Sequence, residues 1–248
     1  MQKVSVTIIT MNEEANIQAC LESVSWADEV LVSDSGSIDR TVEICREYNA
    51  KIFNDKWLGF GKQKNLIASR AKNNLVLNID ADERVTPDLR KEIETVLNQD
   101  DCDGYNIPRK NFFGNRWVRY CGWYPDYNLR LYRKDKGSFN ERDVHEAVKI
   151  DGKVGYLNAP LVHYTYRDIS DYLKRMDRYS TLAAEEMLKN GRKVSYLSIL
   201  SRPIATFLKM FFLQKGFLEG YRGLILSGLY ASYTFSKYAK LWEMSERQ

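Results

Sequence analysis

The stretch Leu75-Val76-Leu77-Asn78-Ile79-Asp80-Ala81-Asp82-Glu83 decides how this chain is read, because an apolar run stops abruptly at two aspartates separated by one small residue. A short apolar run bounded by polar residues fits a buried strand. Paired carboxylates at its C-terminal end offer hard oxygen ligands to a divalent cation, Mg2+ or Mn2+, and through it to a diphosphate. A plain strand ending in an acidic turn has the same pattern, so the meaning of the aspartates depends on what stands at the other strand ends.

Working outward, strand and helix signals alternate through the first hundred residues. Val4–Thr10 is a β-branched run, and Ile17, Cys20, Leu21 and Val24 then form the buried stripe of a helix expected to begin near Asn12-Glu13. Residues 30–32 give a second strand, which ends in the small polar turn Ser33-Asp34-Ser35-Gly36-Ser37 before a helix with Val42, Cys45 and Tyr48 inward. A third strand over residues 51–53 precedes the Gly59 and Gly61 turn and a helix over residues 62–72. Four such units imply an α/β fold with a largely parallel sheet covered by helices on both faces. Ligands of such sheets bind outside the carboxyl ends of the strands. Thr10, Asn12, Glu13, Asp34, Ser35, Asp39, Lys62, Lys64, Asp80 and Asp82 all fall on that rim.

Composition sets outer limits. With 248 residues and 44% hydrophobic content the chain can bury a proper core, as one large domain or one domain with an appendage. The four cysteines, at 20, 45, 102 and 121, lack metal-site spacing and are expected to be reduced thiols in a cytoplasmic protein. The N-terminus runs straight into a strand-length segment, so no cleaved export signal is expected. The net charge of +4 hides an asymmetry: residues 1–165 carry 23 Lys/Arg against 25 Asp/Glu, whereas residues 166–248 carry 14 against 8 and hold 14 of the 31 aromatics. The expected division is therefore a catalytic domain over 1–165 and a basic, aromatic helical region over 166–248.

Moving a sugar from a nucleoside diphosphate requires neutralisation of the leaving diphosphate and a base for the acceptor hydroxyl. Asp82 is the candidate direct metal ligand and Asp80 a ribose or outer metal contact, while Asp34 can accept a base N–H and Lys64 or Lys62 can meet the diphosphate. Both histidines stand in suggestive contexts: His145 between Asp143 and Glu146, and His163 after Pro160-Leu161-Val162. Asn128-Leu129-Arg130-Leu131-Tyr132-Arg133 alternates as an edge strand would, with arginines that either clamp phosphate or face solvent. Between them, residues 103–165 read as β-rich. Phe112-Phe113, Trp117, Tyr120 and Trp123-Tyr124-Pro125 there serve either to grip an acceptor or as plain core.

Four segments in order resemble glycosyltransferase family 2: Thr10-Met11-Asn12-Glu13-Glu14, residues 32–41 from Val32 through Asp34 to Thr41, Gly61-Lys62-Gln63-Lys64-Asn65, and Asn78-Ile79-Asp80-Ala81-Asp82-Glu83. Arg130-Leu131-Tyr132-Arg133, Val144-His145-Glu146 and residues 215–223 narrow the resemblance to bacterial lipopolysaccharide core β-1,4-glucosyltransferases. The resemblance implies a Rossmann-like GT-A fold with a C-terminal helical extension, inverting transfer of a hexose such as glucose from a UDP-sugar, and a divalent cation. It places Thr10, Asn12, Glu13, Asp34 and Lys64 on the nucleotide, and Asp80 and Asp82 on ribose, diphosphate and metal. Arg130 is a further nucleotide-sugar candidate. The family's adjacent acidic pair is missing after the acceptor loop, which leaves Glu146 as the expected general base and Asp143 in reserve.

In the tail, residues 167–190 and 197–213 read as helices, the second interrupted at Pro203. Neither residues 204–213 nor 223–236 reach the length of a bilayer span. Phe207, Leu208, Phe211, Phe212, Phe217 and Leu218 beside Lys209, Lys215 and Arg222 suit an anionic membrane interface, with core capping or a homodimer as the alternative. The expected setting is peripheral, on the cytoplasmic face of the inner membrane with a lipid-linked saccharide acceptor. The rivals are transfer to another glycan or protein acceptor, and nucleic-acid binding by the basic tail, which is not expected. A nucleotidyltransferase would need a phosphate loop that Thr10-Met11-Asn12-Glu13 does not supply.

Overall fold

The computed structural model describes residues 2–99, 101–140 and 146–247 and resolves them into two compact units, residues 1–110 with 126–164, and residues 111–125 with 165–248. The first unit is built on four parallel strands, β1 (Val4–Thr10), β2 (Glu29–Asp34), β3 (Lys51–Asn54) and β4 (Leu75–Asp80), alternating with α1 (Ile17–Ser23), α2 (Thr41–Glu47) and α3 (Phe60–Ser69). After β4 come β5 (Glu83–Val85), α4 (Pro87–Val96), β6 (Gly104–Phe113), β7 (Arg116–Trp117) and β8 (Asp126–Arg133). Then β9 (Gly137–Phe139) and β10 (Val148–Ile150) form a hairpin, and β11 (Val154–Tyr156) and β12 (Leu161–Tyr166) complete the strands. The main sheet runs β3-β2-β1-β4-β8-β6-β12-β5, so the parallel half continues into an antiparallel half at β8. Its two faces bury separate apolar layers, one around Val6, Ile8, Ile17, Leu77 and Ile93, the other around Ile9, Leu31, Ile67 and Val76. This is the alternation a doubly covered sheet requires.

Two local expectations are corrected. Helix α1 starts at Ile17 rather than near Asn12-Glu13, because the backbone N–H groups of Asn12, Glu13 and Glu14 donate to Ser37 Oγ, Thr41 Oγ1 and Asp39 Oδ2 instead of joining a helix. The Asn128–Arg133 segment is no edge strand: β8 lies between β4 and β6, and Arg130 is only 4% exposed. Its charge is tolerated inside because two carboxylates meet it there.

The second unit holds α5 (Ile169–Lys189), α6 (Tyr196–Leu208), a π-helical turn (Lys209–Leu213), a 3-10 turn (Gly216–Glu219) and α7 (Tyr221–Glu246). Phe113 and Trp123, candidates for gripping an acceptor, pack here with Val118, Tyr166, Tyr172 and Leu226 as core. The Lys240 ammonium ties α7 to α5 through Asp177 Oδ1 at 2.7 Å, Thr181 Oγ1 at 2.8 Å and Ser180 Oγ at 2.9 Å. Helix α6 passes through Pro203 instead of stopping at it. The carbonyl that loses its partner sits in a helix with no buried residue, where water can take it. Together with the π-helical turn it forms Tyr196–Leu213, 18 residues of mean hydropathy 1.3, long and apolar enough by length and composition to cross a membrane. The length-based exclusion of a span therefore fails for this segment, since it had started the apolar run at Ile204 and omitted residues 196–203.

Candidate active site

Strand β4 delivers Asp80 to the rim, where two cations bracket its carboxylate. Lys64 Nζ lies 2.9 Å from Oδ1 and Arg130 Nη2 lies 2.8 Å from Oδ2. Each cation arrives for a local reason. Lys64 lies on the inward face of α3 and is 2% exposed, whereas Lys62 is exposed, which separates the two lysine candidates. Arg130 is the extra residue of a β-bulge: Tyr105 pairs with Leu131 and Asn106 with Leu129, so position 130 has no partner and its side chain is re-aimed. Burial alone would raise the Asp80 carboxyl, but the ammonium of Lys64 and the guanidinium of Arg130 hold it well below the usual carboxylate range.

The network extends in both directions. Lys64 Nζ also reaches Glu146 Oε1 at 3.0 Å. The β9–β10 hairpin presents Glu146 and is pinned to α3 by two reciprocal bonds, Asn65 Nδ2 donating to the Phe139 carbonyl at 2.9 Å and Phe139 N–H to Asn65 Oδ1 at 2.8 Å. On the other side Arg130 Nη2 meets Glu83 Oε1 at 2.6 Å, and Glu83 Oε2 accepts the Asp80 backbone N–H at 2.9 Å. Arg109 joins Glu83 at 3.4 Å to Asp126 at 2.7 Å. Burial opposes the charge on Arg130, but Glu83 and Asp80 raise its pKa above the ordinary arginine value.

Asp82 faces a different partner. Strand β12 pairs antiparallel with β5, with His163 opposite Glu83, and the Tyr164 N–H donates to the Asp82 carbonyl at 3.0 Å. This register sets His163 Nε2 3.6 Å from Asp82 Oδ2. At the β1 and β2 ends, Thr10 is buried and its Oγ1 has no partner among the described residues. Asn12, at φ 56°, accepts the Ile38 N–H at 2.9 Å. Glu13 accepts from Asn16 at 2.8 Å. Asp34, 3% exposed, accepts the Gly36 and Ser37 N–H groups, both at 2.9 Å, and so shapes its own loop.

Among the sequence-derived candidates, Lys64, Asp80, Arg130 and Glu146 therefore form one connected cluster, Asp82 stands with His163, and Thr10, Asn12, Glu13 and Asp34 line or shape the neighbouring loops. Asp143 and His145 lie outside the described residues. Glu83, Arg109 and Asp126 were missed. The only signal for Glu83 was its adjacency to Asp82, and for Arg109 and Asp126 there was none, because their meeting depends on the pairing of β6 with β8.

Comparisons with known proteins identify the family and the fold. The profile of Glycosyl transferase family 2 matches residues 5–150. An uncharacterized glycosyltransferase of Rickettsia typhi is 35% identical, covering 99% of this chain and 88% of the relative. The lipopolysaccharide core biosynthesis glycosyltransferase LpsC of Rhizobium meliloti is 28% identical, covering 96% and 92%. The crystal structure of S. aureus TarS 1-349 in complex with UDP-GlcNAc superposes with a TM-score of 0.52 at 17% identity, over 100% of this chain and 92% of that one, which shows a shared GT-A fold. On its sequence, its fold and the acidic rim they place at β4, this chain belongs to glycosyltransferase family 2.

Proposed function

We propose that the chain is an inverting hexosyltransferase that moves a hexose, glucose by resemblance, from a UDP-sugar to a lipid-linked or lipopolysaccharide-core saccharide. The observation that carries this reading is the Lys64–Asp80–Arg130 cluster with Glu146 attached at 3.0 Å, which gathers phosphate-neutralising cations and a candidate base at one strand end. The similarity to LpsC supports the acceptor class, and the likeness to a UDP-GlcNAc-binding protein supports the donor class.

The residues present fit a divalent cation. Asp82 Oδ2 offers the hard carboxylate oxygen that Mn2+ or Mg2+ takes, and His163 Nε2, 3.6 Å away, adds an imidazole nitrogen, a softer donor that favours Mn2+ over Mg2+. Among the described residues no cluster of three or more such side chains exists. This leaves coordination positions for diphosphate oxygens and water, as nucleotide-bound cations use them. When bound, the cation would neutralise the leaving diphosphate. The residues of the chain do the rest. Thr10 Oγ1, Asn12, Glu13 and Asp34 hold the nucleoside, and Asp80 meets the ribose. Lys64 and Arg130 stabilise charge developing on the diphosphate. The Glu146 carboxylate takes the proton of the acceptor hydroxyl as that oxygen bonds to the anomeric carbon and the bond from that carbon to the diphosphate oxygen breaks, with inversion and release of UDP.

One experiment tests the assignment. Donor binding and transfer are measured with Mn2+ and UDP-sugars for Asp82→Ala and Glu146→Gln. Asp82→Ala is expected to abolish metal-dependent UDP binding while the melting temperature holds. Glu146→Gln is expected to keep donor affinity and lower kcat by about 10²–10⁴-fold. Unchanged UDP affinity in the first variant removes Asp82 as a metal ligand, and near-normal kcat in the second moves the base elsewhere.

A further inference from the structure

Phe113 and Trp123 pack as core of the second unit, whereas the first unit exposes two aromatic side chains in contact with each other. Tyr127 of β8 is 42% exposed and Tyr156 of β11 is 64% exposed. Their ring centroids lie 5.2 Å apart with the planes at 83°, so the two rings form an open corner.

Strand register places this corner on the reacting side of the sheet. In β4, Val76 faces the apolar layer that holds Ile67 of α3, and alternation carries Asp80 to the same face. Tyr132 of β8 pairs with Val76 and joins that layer. The extra residue at Arg130 then shifts the alternation by one, so Leu129 packs in the layer too and Tyr127 follows it on the same face. Counted from the Leu77–Leu131 pair with Arg130 left out, Tyr127 comes level with Asp80, one strand over. On β6, Tyr127 pairs with Pro108 and Tyr156 with Asn106, positions two apart and therefore on one face. The β9–β10 hairpin covers this face as well, since Ile150 and Leu129 both lie against Gly104. Glu146, presented by the hairpin, and its partner Lys64 thus share a face with the tyrosine corner.

The chemistry of the corner selects its occupant. A tyrosine ring carries a negative face. A pyranose has a flat side of C–H groups that packs on such a face, and hydroxyls around its edge that need donors and acceptors. Asn106, half-buried and paired with Leu129 on one side and Tyr156 on the other, supplies both through a carboxamide with no hydrogen-bond partner among the described residues. A protein partner needs about 800 Å2 on each side, whereas two tyrosines offer at most about 500 Å2. The donor base is the other flat group at hand, but Thr10 and Asp34, proposed to hold it, end β1 and β2 on the far side of β4.

We infer that Tyr127, Tyr156 and Asn106 form a saccharide subsite, on which a ring of the acceptor stacks while the hydroxyl to be glycosylated reaches Glu146. The inference rests on the transferase reading, which supplies the saccharide, and adds to it the surface that sets acceptor affinity.

The test titrates the full chain, with UDP and Mn2+ present, with the deacylated core oligosaccharide of a rough lipopolysaccharide, and follows transfer from UDP-glucose to the same oligosaccharide. Tyr127→Ala and Tyr156→Ala should each weaken saccharide binding about tenfold, and in transfer the loss should fall on KM for the saccharide and not on kcat. Tyr127→Phe and Tyr156→Phe keep the ring and should stay within about threefold of the parent. Asn106→Ala should weaken binding about fivefold. UDP affinity and the melting temperature are the controls and should hold, since both rings stand at the surface. Unchanged saccharide affinity in the Tyr127→Ala, Tyr156→Ala double variant, Phe variants as weak as the Ala ones, a fall in UDP affinity matching the fall in saccharide affinity, or no saccharide binding by the unmodified chain would each overturn the inference. If the unmodified chain binds the oligosaccharide through the tyrosines but neither hydrolyses UDP-glucose nor transfers from it, the transferase reading fails and the saccharide subsite stands.

Discussion

Replacing Glu83 by Gln is the most direct test of how the acidic rim is held. The Glu83 side chain is completely buried, Arg130 is 5% exposed at its side chain, and the two meet at 2.6 Å, so the pair is little screened by solvent. The amide keeps the volume and can still accept the Asp80 N–H, but it removes the charge that faces Arg130 and Arg109. Removing one partner of a buried pair costs about 3–5 kcal/mol. Because Arg130 retains Asp80 at 2.8 Å, the lower end applies, about 3 kcal/mol. For a chain of this size that corresponds to a fall in Tm of about 6–12 °C. Circular dichroism melts of Glu83→Gln, Arg130→Met and the double variant form a thermodynamic cycle. The double variant should be markedly less destabilised than the sum of the singles, since it leaves no orphaned charge. A melt of Glu83→Gln within about 2 °C of the parent, or strict additivity in the cycle, would refute the claim that Glu83 compensates the buried arginine.

Two further predictions concern stability. The folded-state pKa of Asp80 is depressed, so its contribution is fully present above the unfolded value and is lost as pH falls through the folded one. With chelator present, Asp80→Asn should be less stable than the parent at neutral pH, and the gap should close only as pH drops below about 3.9; a gap already gone near neutrality would contradict the Lys64 and Arg130 pairing. In α7, a methyl at Gly223 would fall inside the carbonyl of Gly216, whereas one at Gly228 meets nothing within 4 Å. Gly223→Ala should cost about 3 kcal/mol or more in urea unfolding, while Gly228→Ala should stabilise by about 0.5–1 kcal/mol; equal effects would mean that the close approach of α7 to the 3-10 turn is wrong.

Much of the first unit was legible because its signals are local. The β-branched runs, the apolar stripes of α1 and α2 and the turns rich in Ser, Asp and Gly each announce themselves within about ten residues, and the parallel pairing follows from alternation. Lys64 and Asp80 could be placed on one rim for the same reason. The antiparallel half was less legible. Alternation in Asn128–Arg133 suggested an edge strand, since nothing nearby in sequence shows that Glu83 and Asp80, some fifty positions upstream, will meet Arg130 inside the sheet. Pro203 misled in another way: a helix-breaking residue is decisive in a packed helix but tolerable in α6, whose exposed backbone can find water.

The sequence by itself determined the family, the alternation of strands and helices that makes the parallel half, and the two aspartates at and just beyond the end of β4, because these depend on residue type and short spacing. Only the tertiary structure decided which charges meet. Pairing of β5 with β12 brings His163 to Asp82, the bulge at Arg130 aims a guanidinium at Asp80, and the β9–β10 hairpin carries Glu146 to Lys64. The physical reason is that Coulomb and hydrogen-bond terms act over a few ångströms in space, whatever the separation along the chain. The pair Asp80 and Asp82, alike in sequence, is thereby split into one carboxylate held between two cations and another set beside an imidazole.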